Sequence, residues 1–248
     1  ALQQCAAIYD AYIAKYNLKD DDKNFLDRDV EGKEYTITLI DAESLEEIGT
    51  FTIKYGEAYG TSLPSPTKGG YSFKGWFTSK TGSTQVTSES IFKGTEDISL
   101  YAQWTKETYT ITLDSGDCDT EGSLSVTSYQ MSGSAKLSVI TPPEKEGYTP
   151  IFTVTGGEAT ISGTTIRIPA NTYGNVTVTT TWEAIESNVT FDSKGGSTVE
   201  GIKVSYDGTY GTLPEPTKNG YDFVGWYTKD GSEDGNWGDK IESKTQVK

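Results

Sequence analysis

Two stretches of sequence decide the fold of this chain: YGEAYGTSLPSPTKGGYSFKGWFT at residues 55–78 and YDGTYGTLPEPTKNGYDFVGWYT at residues 206–228. When one gap is placed at Ser62, 15 of 23 aligned positions are identical. Chance does not produce agreement of this length. Such self-similarity indicates that the chain contains copies of one structural unit.

A third, weaker copy lies between these two. ITPPEKEGYTPIF at residues 140–152 keeps the Pro-x-x-x-Gly-Tyr core of the motif. Three positions correspond between this copy and the first: Pro143 to Pro66, Gly147 to Gly70 and Tyr148 to Tyr71. The flanking sequences repeat as well, because YTITL at 35–39 recurs at 109–113 and has a third version, NVTFD, at 188–192.

The spacing of these anchors predicts units of roughly 75 residues, a size at which a small β-rich domain can close its own core. We predict an N-terminal helix and linker at residues 1–33 and a first repeat at 34–107. A diverged second repeat follows at 108–186, and a third repeat at 187–248. LYAQW at 100–104 closes the first unit, and Trp182 of VTTTW corresponds to its Trp104. The third unit has no LYAQW counterpart before Lys248 and is expected to be truncated.

Alternation of polar and apolar residues predicts strands at 36–39, 51–55 and 110–113. The Leu-Pro-x-Pro elements at 63–67 and 213–217 are not central strands, because proline removes a ladder donor and fixes its own φ. They are expected to cross the domain as extended or edge segments.

The apolar spacing changes from two to three across Gly75, between Phe73 and Trp76, and Gly225 stands at the same place in the third repeat. A β-bulge at this glycine is the simplest way to turn all the rings inward, so a bulge is predicted there.

Ahead of the repeats, apolar and aromatic residues keep a three- and four-residue spacing, which predicts a short amphipathic helix; they are Leu2, Cys5, Ile8, Tyr9, Tyr12, Ile13 and Tyr16.

Composition excludes several functions. The chain has no histidine, which rules out Ser-His-Asp and Cys-His sites and histidine-ligated metals. Its 21 Lys and Arg against 36 Asp and Glu give a net charge of −15, which opposes binding to nucleic acid or to anionic membranes. No run of apolar residues is long enough to insert into a membrane. Cys5 and Cys118 are too few for a disulfide framework or a metal cluster.

The repeat motif, LYAQW at 100–104 and FDSKGG at 191–196 resemble the Listeria–Bacteroides repeat, the family that includes the B-repeat of internalin B. The resemblance implies a mainly β (α+β) fold of tandem small β-grasp-like, SUMO-like domains in secreted or surface-anchored bacterial proteins. It implies no catalytic residues and no cofactor. The middle unit lacks the Gly-Trp-x-Thr element, so it is either a diverged relative or a related β-fold.

The residues that carry the motif are expected to be structural: Tyr71, Phe73, Gly75, Trp76, Trp104, Tyr221, Phe223, Gly225 and Trp226. Trp76 and Trp226 could stack on sugars, but their recurrence with the same Gly and Tyr neighbours favours core packing. Trp237 differs, because it lies in the Gly- and Asp-rich insertion DGNWG, which the first repeat lacks. A tryptophan in such a loop is the best candidate for a ligand contact.

Acidic clusters at 20–22, 114–119 and 230–234 lack the spacing of a calcium loop, so we interpret them as solvated turns and predict no metal site. No pair of carboxylates stands out as a glycosidase pair, and we predict that the chain is not an enzyme.

The sequence therefore predicts a monomeric, non-catalytic repeat segment of a bacterial cell-surface or secreted protein. It is expected to act as a stalk or spacer and as an adhesion module toward protein or glycan components of host-cell or cell-wall surfaces. The alternative from another class is a carbohydrate-binding module attached to a larger surface enzyme.

Overall fold

The computed structural model describes residues 32–248, which are mainly β-strand, so the predicted mainly β class is confirmed. The predicted N-terminal helix lies outside the described residues. The chain divides into two compact units, the first ending at Glu107 and the second beginning at Thr108.

The first repeat forms one five-stranded sheet. Its elements are β1 (Glu34–Asp41), β2 (Glu47–Lys54), a short 3-10 helix (Gly60–Ser62), β3 (Tyr71–Phe77), β4 (Gln85–Val86) and β5 (Ile98–Lys106). The strand order is β2-β1-β5-β3-β4. The first and last strands, β1 and β5, lie side by side and run parallel, whereas the other pairs are antiparallel. Strands predicted around 36–39 and 51–55 are therefore confirmed.

The core of this repeat contains the inward-facing residues of β1 and β5. Ile37 and Leu39 alternate with half-buried threonines on β1, and Leu100 and Ala102 on β5 are completely buried. Full burial of one such aliphatic side chain contributes about 1.5–3 kcal/mol. The two neighbouring strands β1 and β5 thus supply much of the buried apolar surface of the sheet.

The bulge predicted at Gly75 is confirmed in the first repeat. Phe73 pairs with Trp104, but the next pair joins Gly75 to Gln103, so Lys74 is the extra residue. Gly75 has a φ of 137°, a conformation that side chains with a Cβ rarely adopt. The shift turns Trp76 inward, where its side chain is 3% exposed.

The middle repeat has two four-stranded sheets. Its strands are β6 (Tyr109–Asp114), β7 (Ser123–Leu124), β8 (Ser128–Tyr129), β9 (Lys136–Thr141), β10 (Tyr148–Thr155), β11 (Thr160–Ser162), β12 (Thr165–Ile168) and β13 (Val176–Ala184). The sheets have the orders β10-β13-β6-β8 and β11-β12-β9-β7. The strand predicted at 110–113 is confirmed as part of β6.

Three strands of the middle repeat reproduce the centre of the first. β13 runs parallel to β6 and antiparallel to β10, as β5 does to β1 and β3. Pro150 pairs with Trp182 where Phe73 pairs with Trp104. β10 pairs with β13 without a shift of register, which accords with the missing Gly-Trp element. The middle unit thus keeps the central strands of the outer unit and adds a second sheet.

The third repeat consists of two separate strand pairs. β14 (Glu186–Val189) pairs with β15 (Ile202–Ser205), and β16 (Trp226–Tyr227) pairs with β17 (Lys240–Ile241). These strands correspond to β1 to β4 of the first repeat. The chain follows the same path to its end, because Val247 exchanges backbone hydrogen bonds with 207 and 208 as Phe92 does with 56 and 57. No strand of the described residues lies between β14 and β16 in the place of β5.

Candidate functional site

A groove of about 640 Å³ lies in the third repeat. Residues 189–194, which continue from β14, form one wall, and residues 221–230, around β16, form the other. Trp237 and Ile241 belong to the lining as well. The groove is therefore located where the first repeat has its central strand.

Large apolar side chains are exposed along this groove. Tyr221 and Val224 are each 71% exposed, and Phe223 is 41% exposed. In the first repeat the counterpart of Phe223, Phe73, packs edge-on against Trp76 and also against Trp104 of β5. Phe223 keeps the contact with Trp226, at 5.2 Å between ring centroids. In the first repeat β5 covers the equivalent of Phe223, and the described residues of the third repeat contain no strand at that place.

The floor of the site is built by the motif tryptophan and the proline segment. Nε1 of Trp76 donates a hydrogen bond to the carbonyl of Pro64 at 2.8 Å, and Nε1 of Trp226 donates to the carbonyl of Pro214 at 2.7 Å. The Leu-Pro-x-Pro elements lie outside the strands, as predicted. A proline carbonyl can still accept from an indole, so the ring ties this connection to the sheet.

Trp237 lines the groove and is 42% exposed. The ring lies 6.0 Å from that of Tyr227 and packs over Gly231, where a Cβ would come within 2.7 Å of it. The amide of Lys229 donates to the carbonyl of Trp237 at 3.0 Å. The loop thus presents an aromatic face in a fixed place; contact with a ligand stays a prediction.

A buried carboxylate organises the corresponding region of the first repeat. Oδ1 of Asp41 accepts hydrogen bonds from the amides of Glu43 and Ser44. Its Oδ2 accepts from the Lys68 ammonium and from Nε1 of Trp104, both at 3.0 Å. Burial raises the pKa of Asp41, but the amide hydrogen bonds and Lys68 outweigh it, so the pKa lies below the usual value.

Sequence reasoning missed this network. Its only signal is the Pro-Thr-Lys sequence shared by both outer repeats, which places Lys68 and Lys218 at equivalent positions.

In the third repeat a carboxylate, Asp192, lies in the turn that follows β14, one position earlier in the register than Asp41. Oδ1 of Asp192 accepts from the amide of Lys194 at 2.9 Å, as Asp41 does from its own turn. The Lys194 ammonium bridges Asp192 and Asp230. Hydrogen bonding from Lys194 lowers the pKa of Asp192 and lowers that of Asp230 to about 2. Both carboxylates therefore stay ionised at the groove edge at neutral pH.

Two other acidic residues close turns. Oδ1 of Asp114 and Oδ1 of Asp234 each accept an amide two residues ahead. Within residues 32–248, no three acidic or cysteine side chains are grouped so that they could hold a metal ion. The cluster at 20–22 lies outside the described residues. In the described part of the chain, no helix has the length and apolar character needed to span a bilayer.

Comparison with known proteins identifies relatives of this chain. The family model of the Listeria-Bacteroides repeat domain matches residues 35–103 and 188–247, more than half of the chain. Internalin H of Listeria monocytogenes serovar 1/2a is 33% identical over 121 residues, which cover 49% of this chain and 18% of that protein. A Gly-rich protein of Evansella cellulosilytica, named as a membrane protein, is 29% identical over 162 residues, covering 64% of this chain and 18% of its own length.

The chain thus spans about a fifth of the length of the curated relatives it matches. Both matched regions contain the Gly-Trp element and the hydrogen bond from its tryptophan to a proline carbonyl. The chain belongs to the Listeria-Bacteroides repeat family.

Proposed function

We propose that this chain is a non-catalytic segment of a bacterial surface protein in which tandem β-domains act as a stalk or spacer. Family membership supports this, as do the relatives, one named an internalin and others named membrane proteins. The strand order β2-β1-β5-β3-β4, with β1 parallel to β5, supports the expected β-grasp-like architecture. An extracellular location and a monomeric state belong to the same proposal.

The observation that carries the stalk role is the joint between the middle and third repeats. Only Ile185 separates β13 from β14, and its amide donates to the carbonyl of Gly147 at 2.9 Å. Its own carbonyl accepts from the amide of Tyr206 at 3.0 Å. The ring of Tyr148 packs on Tyr206, and its hydroxyl donates to Asp207 at 2.9 Å. A joint fixed by this many contacts resists bending, which a spacer requires.

Spin labels on β12 and β15 would test this joint by pulsed dipolar spectroscopy. We expect a narrow distance distribution that widens when Tyr206→Ala removes the stacked ring. Tyr55→Ala, the same change at the equivalent place in the first repeat, is the matched control and should leave the distribution unchanged. A broad distribution in the unaltered chain would contradict the stalk proposal.

A glycan-binding role is the second candidate, because Trp237, Tyr227 and Tyr221 present aromatic faces in one groove. Titration with cell-wall polymers and host glycans should then change tryptophan fluorescence in a saturable way. Trp237→Ala should abolish the change, whereas Tyr173→Ala, at an exposed aromatic of the middle repeat, should not. The charge of −15 requires that binding be compared at low and moderate salt. Binding that vanishes at moderate salt would argue against this role.

A further inference from the structure

A buried indole of the middle repeat has no acceptor among the described residues. Trp182 takes the place that Trp104 has in the first repeat. Nε1 of Trp104 donates a hydrogen bond to Oδ2 of Asp41 at 3.0 Å. Nε1 of Trp182 is buried, but it makes no hydrogen bond to any of residues 32–248. Buried N–H groups without an acceptor are rare in folded proteins, so this donor requires a partner.

The register of the strands explains why the carboxylate is missing. Asp41 pairs with Ala102 of β5 in the first repeat. Continuing the pairing of β6 with β13 by one residue puts Ser115 and Thr180 at these two places. The alignment of the two YTITL sequences gives the same correspondence between Ser115 and Asp41. A serine side chain is one bond shorter than that of aspartate, so its hydroxyl ends short of the position that the carboxylate oxygens take.

The two hydroxyls of this corner are buried. Ser115 is 4% exposed and Thr180 is 5% exposed. Oγ of Ser115 accepts the amide of Gly122 at 3.2 Å, whereas Oγ1 of Thr180 has no hydrogen-bond partner within the described part of the chain. The first repeat has the methyl group of Ala102 at the place of this hydroxyl. Burial of an unpaired hydroxyl is costly, so its presence indicates a further polar group beside it.

The unpaired hydroxyl and the unpaired indole face one place. Thr180 and Trp182 are two residues apart on β13, so their side chains leave the strand on the same face. The backbone of Gly116 lies beside both residues, because a Cβ built there would be 3.5 Å from Nε1 of Trp182 and 3.5 Å from the carbonyl oxygen of Thr180. Ser115, Thr180 and Trp182 therefore form a polar cluster between β13 and the turn that follows β6.

The acidic residue of this region lies at the surface and does not supply the acceptor. Lys145 corresponds to Lys68, and each ammonium lies over the ring of a tyrosine, Tyr148 at 4.9 Å and Tyr71 at 4.8 Å. The Lys145 ammonium pairs with Asp117 at 3.1 Å, and the Asp117 side chain is 97% exposed. The middle repeat thus keeps the ammonium and the indole N–H but has no buried carboxylate between them.

We propose that the polar cluster of Ser115, Thr180 and Trp182 binds one ordered water molecule, which takes the role that Oδ2 of Asp41 has in the first repeat. The water accepts hydrogen bonds from Nε1 of Trp182 and from the Thr180 hydroxyl, and it donates one to Oγ of Ser115. About three hydrogen bonds to buried polar groups are typical of an internal water. The proposal goes beyond the stalk role and does not depend on it.

Charge favours a water over an anion at this place. Asp114, Asp117 and Asp119 lie at the end of β6 and in the turn that follows, and the whole chain carries −15. Lys145 is already paired with Asp117. This field opposes the entry of a further negative charge and has no such effect on a neutral water.

NMR spectra of the full, isotope-labelled chain test the proposal at each indole proton. We expect a cross-peak between the Nε1 proton of Trp182 and a bound water. Trp76 is the internal control, because it is buried and donates to the carbonyl of Pro64, so its indole proton should show no water cross-peak. A high-resolution crystal structure should place the water oxygen at hydrogen-bonding distance from Nε1 of Trp182.

Two variants distinguish a bound water from contact with bulk solvent. Thr180→Val keeps the shape of the side chain and removes the hydroxyl, so it should weaken the water cross-peak of Trp182. Ser115→Asp supplies a carboxylate at the place of Asp41 and should remove the cross-peak. It should also shift the indole proton downfield, because a carboxylate is a stronger acceptor than water. Thr179→Val, the same change at the neighbouring residue on the opposite face of β13, is the matched control and should leave the cross-peak unchanged. Circular dichroism verifies that the variants are folded.

Three results would overturn the proposal. The first is a folded chain that shows neither the cross-peak nor a water oxygen beside the indole of Trp182. The second is a cross-peak that persists at full intensity in both Thr180→Val and Ser115→Asp, since bulk solvent would then be its source. The third is a saturable shift of the Trp182 indole proton on titration with sodium formate or sodium chloride at constant ionic strength, which would assign the place to an anion.

Discussion

The first and third repeats share a motif and differ in one strand. Trp76 and Trp226 make the same hydrogen bond to a proline carbonyl, and Gly75 and Gly225 have nearly the same φ, 137° and 134°. Burial nevertheless differs, because Trp76 is 3% exposed whereas Trp226 is only half-buried. The motif therefore determines the path of the chain, whereas the central strand determines how much apolar surface that path buries.

Truncating the motif tryptophan is the strongest way to break this comparison. Trp76→Ala should lower the free energy of unfolding of the first repeat by about 3–5 kcal/mol, because it leaves a cavity in a closed core. Trp226→Ala should cost the third repeat clearly less, since that ring already faces the groove. Urea unfolding followed by hydrogen-exchange mass spectrometry would separate the repeats. Equal losses in both would contradict the difference in packing.

Removal of Asp41 from the first repeat and of Asp192 from the third gives a second contrast, with a smaller expected loss of stability. Asp41→Ala leaves two amides and the Trp104 indole without their acceptor and should cost the first repeat about 1–3 kcal/mol. Asp192→Ala removes an exposed carboxylate that receives one amide, so its effect should be much smaller. Asp41→Asn, which keeps one acceptor oxygen for the two amides, should recover part of the loss. An Asp192→Ala effect as large as that of Asp41→Ala would refute the comparison.

Backbone protection offers a third contrast without mutation. Amides of β1 and β5 lie between two strands each, whereas those of β14 have one strand partner. We expect exchange in β14 to be faster than in β1 by about tenfold or more. β15 and β2 occupy equivalent edges, so they control for differences in edge exposure. Equal protection of β14 and β1 would mean that the third repeat is as closed as the first.

The smallest expected effect is a loss of stability at acid pH. The pKa of Asp230, lowered to about 2 by the hydrogen bond from Lys194, means that the folded chain binds fewer protons than the unfolded chain below pH 4. The contribution of this pair is thus present above the ordinary carboxyl pKa of 3.8 and is lost as pH falls toward 2. Carboxyl NMR titration should give a midpoint near 2 for Asp230. Lys194→Met should return it toward its ordinary value, and an unchanged midpoint would contradict the assignment.

Much of the first repeat could be predicted from sequence because repetition makes the pattern visible twice. Alternation predicted the strands, and the change of spacing across Gly75 predicted the bulge, since both follow from side-chain direction alone. The sequence did not indicate that Phe223 and Val224 are exposed, because exposure depends on which strands of the folded domain lie beside them.

Other features of the fold are visible only in the three-dimensional structure. The Asp41 network joins residues 63 positions apart, and no local pattern links Asp41 to Trp104. In the middle repeat the pairing of Pro150 with Trp182 was visible only in the structure, since Pro150 replaces the phenylalanine that faces the closing tryptophan. The domain boundaries and the ligand role of Trp237 stay predictions.

The adjacent, parallel arrangement of β1 and β5 has a mechanical consequence. A force that pulls the two ends of the first repeat apart acts along these neighbouring strands and loads all their hydrogen bonds together in shear, whereas a hairpin opens one bond at a time. β6 and β13 give the middle repeat the same geometry. Single-molecule pulling should therefore show two events of similarly high force, one for each of these repeats, and a force as low as that of an opening hairpin for either would contradict the shear geometry.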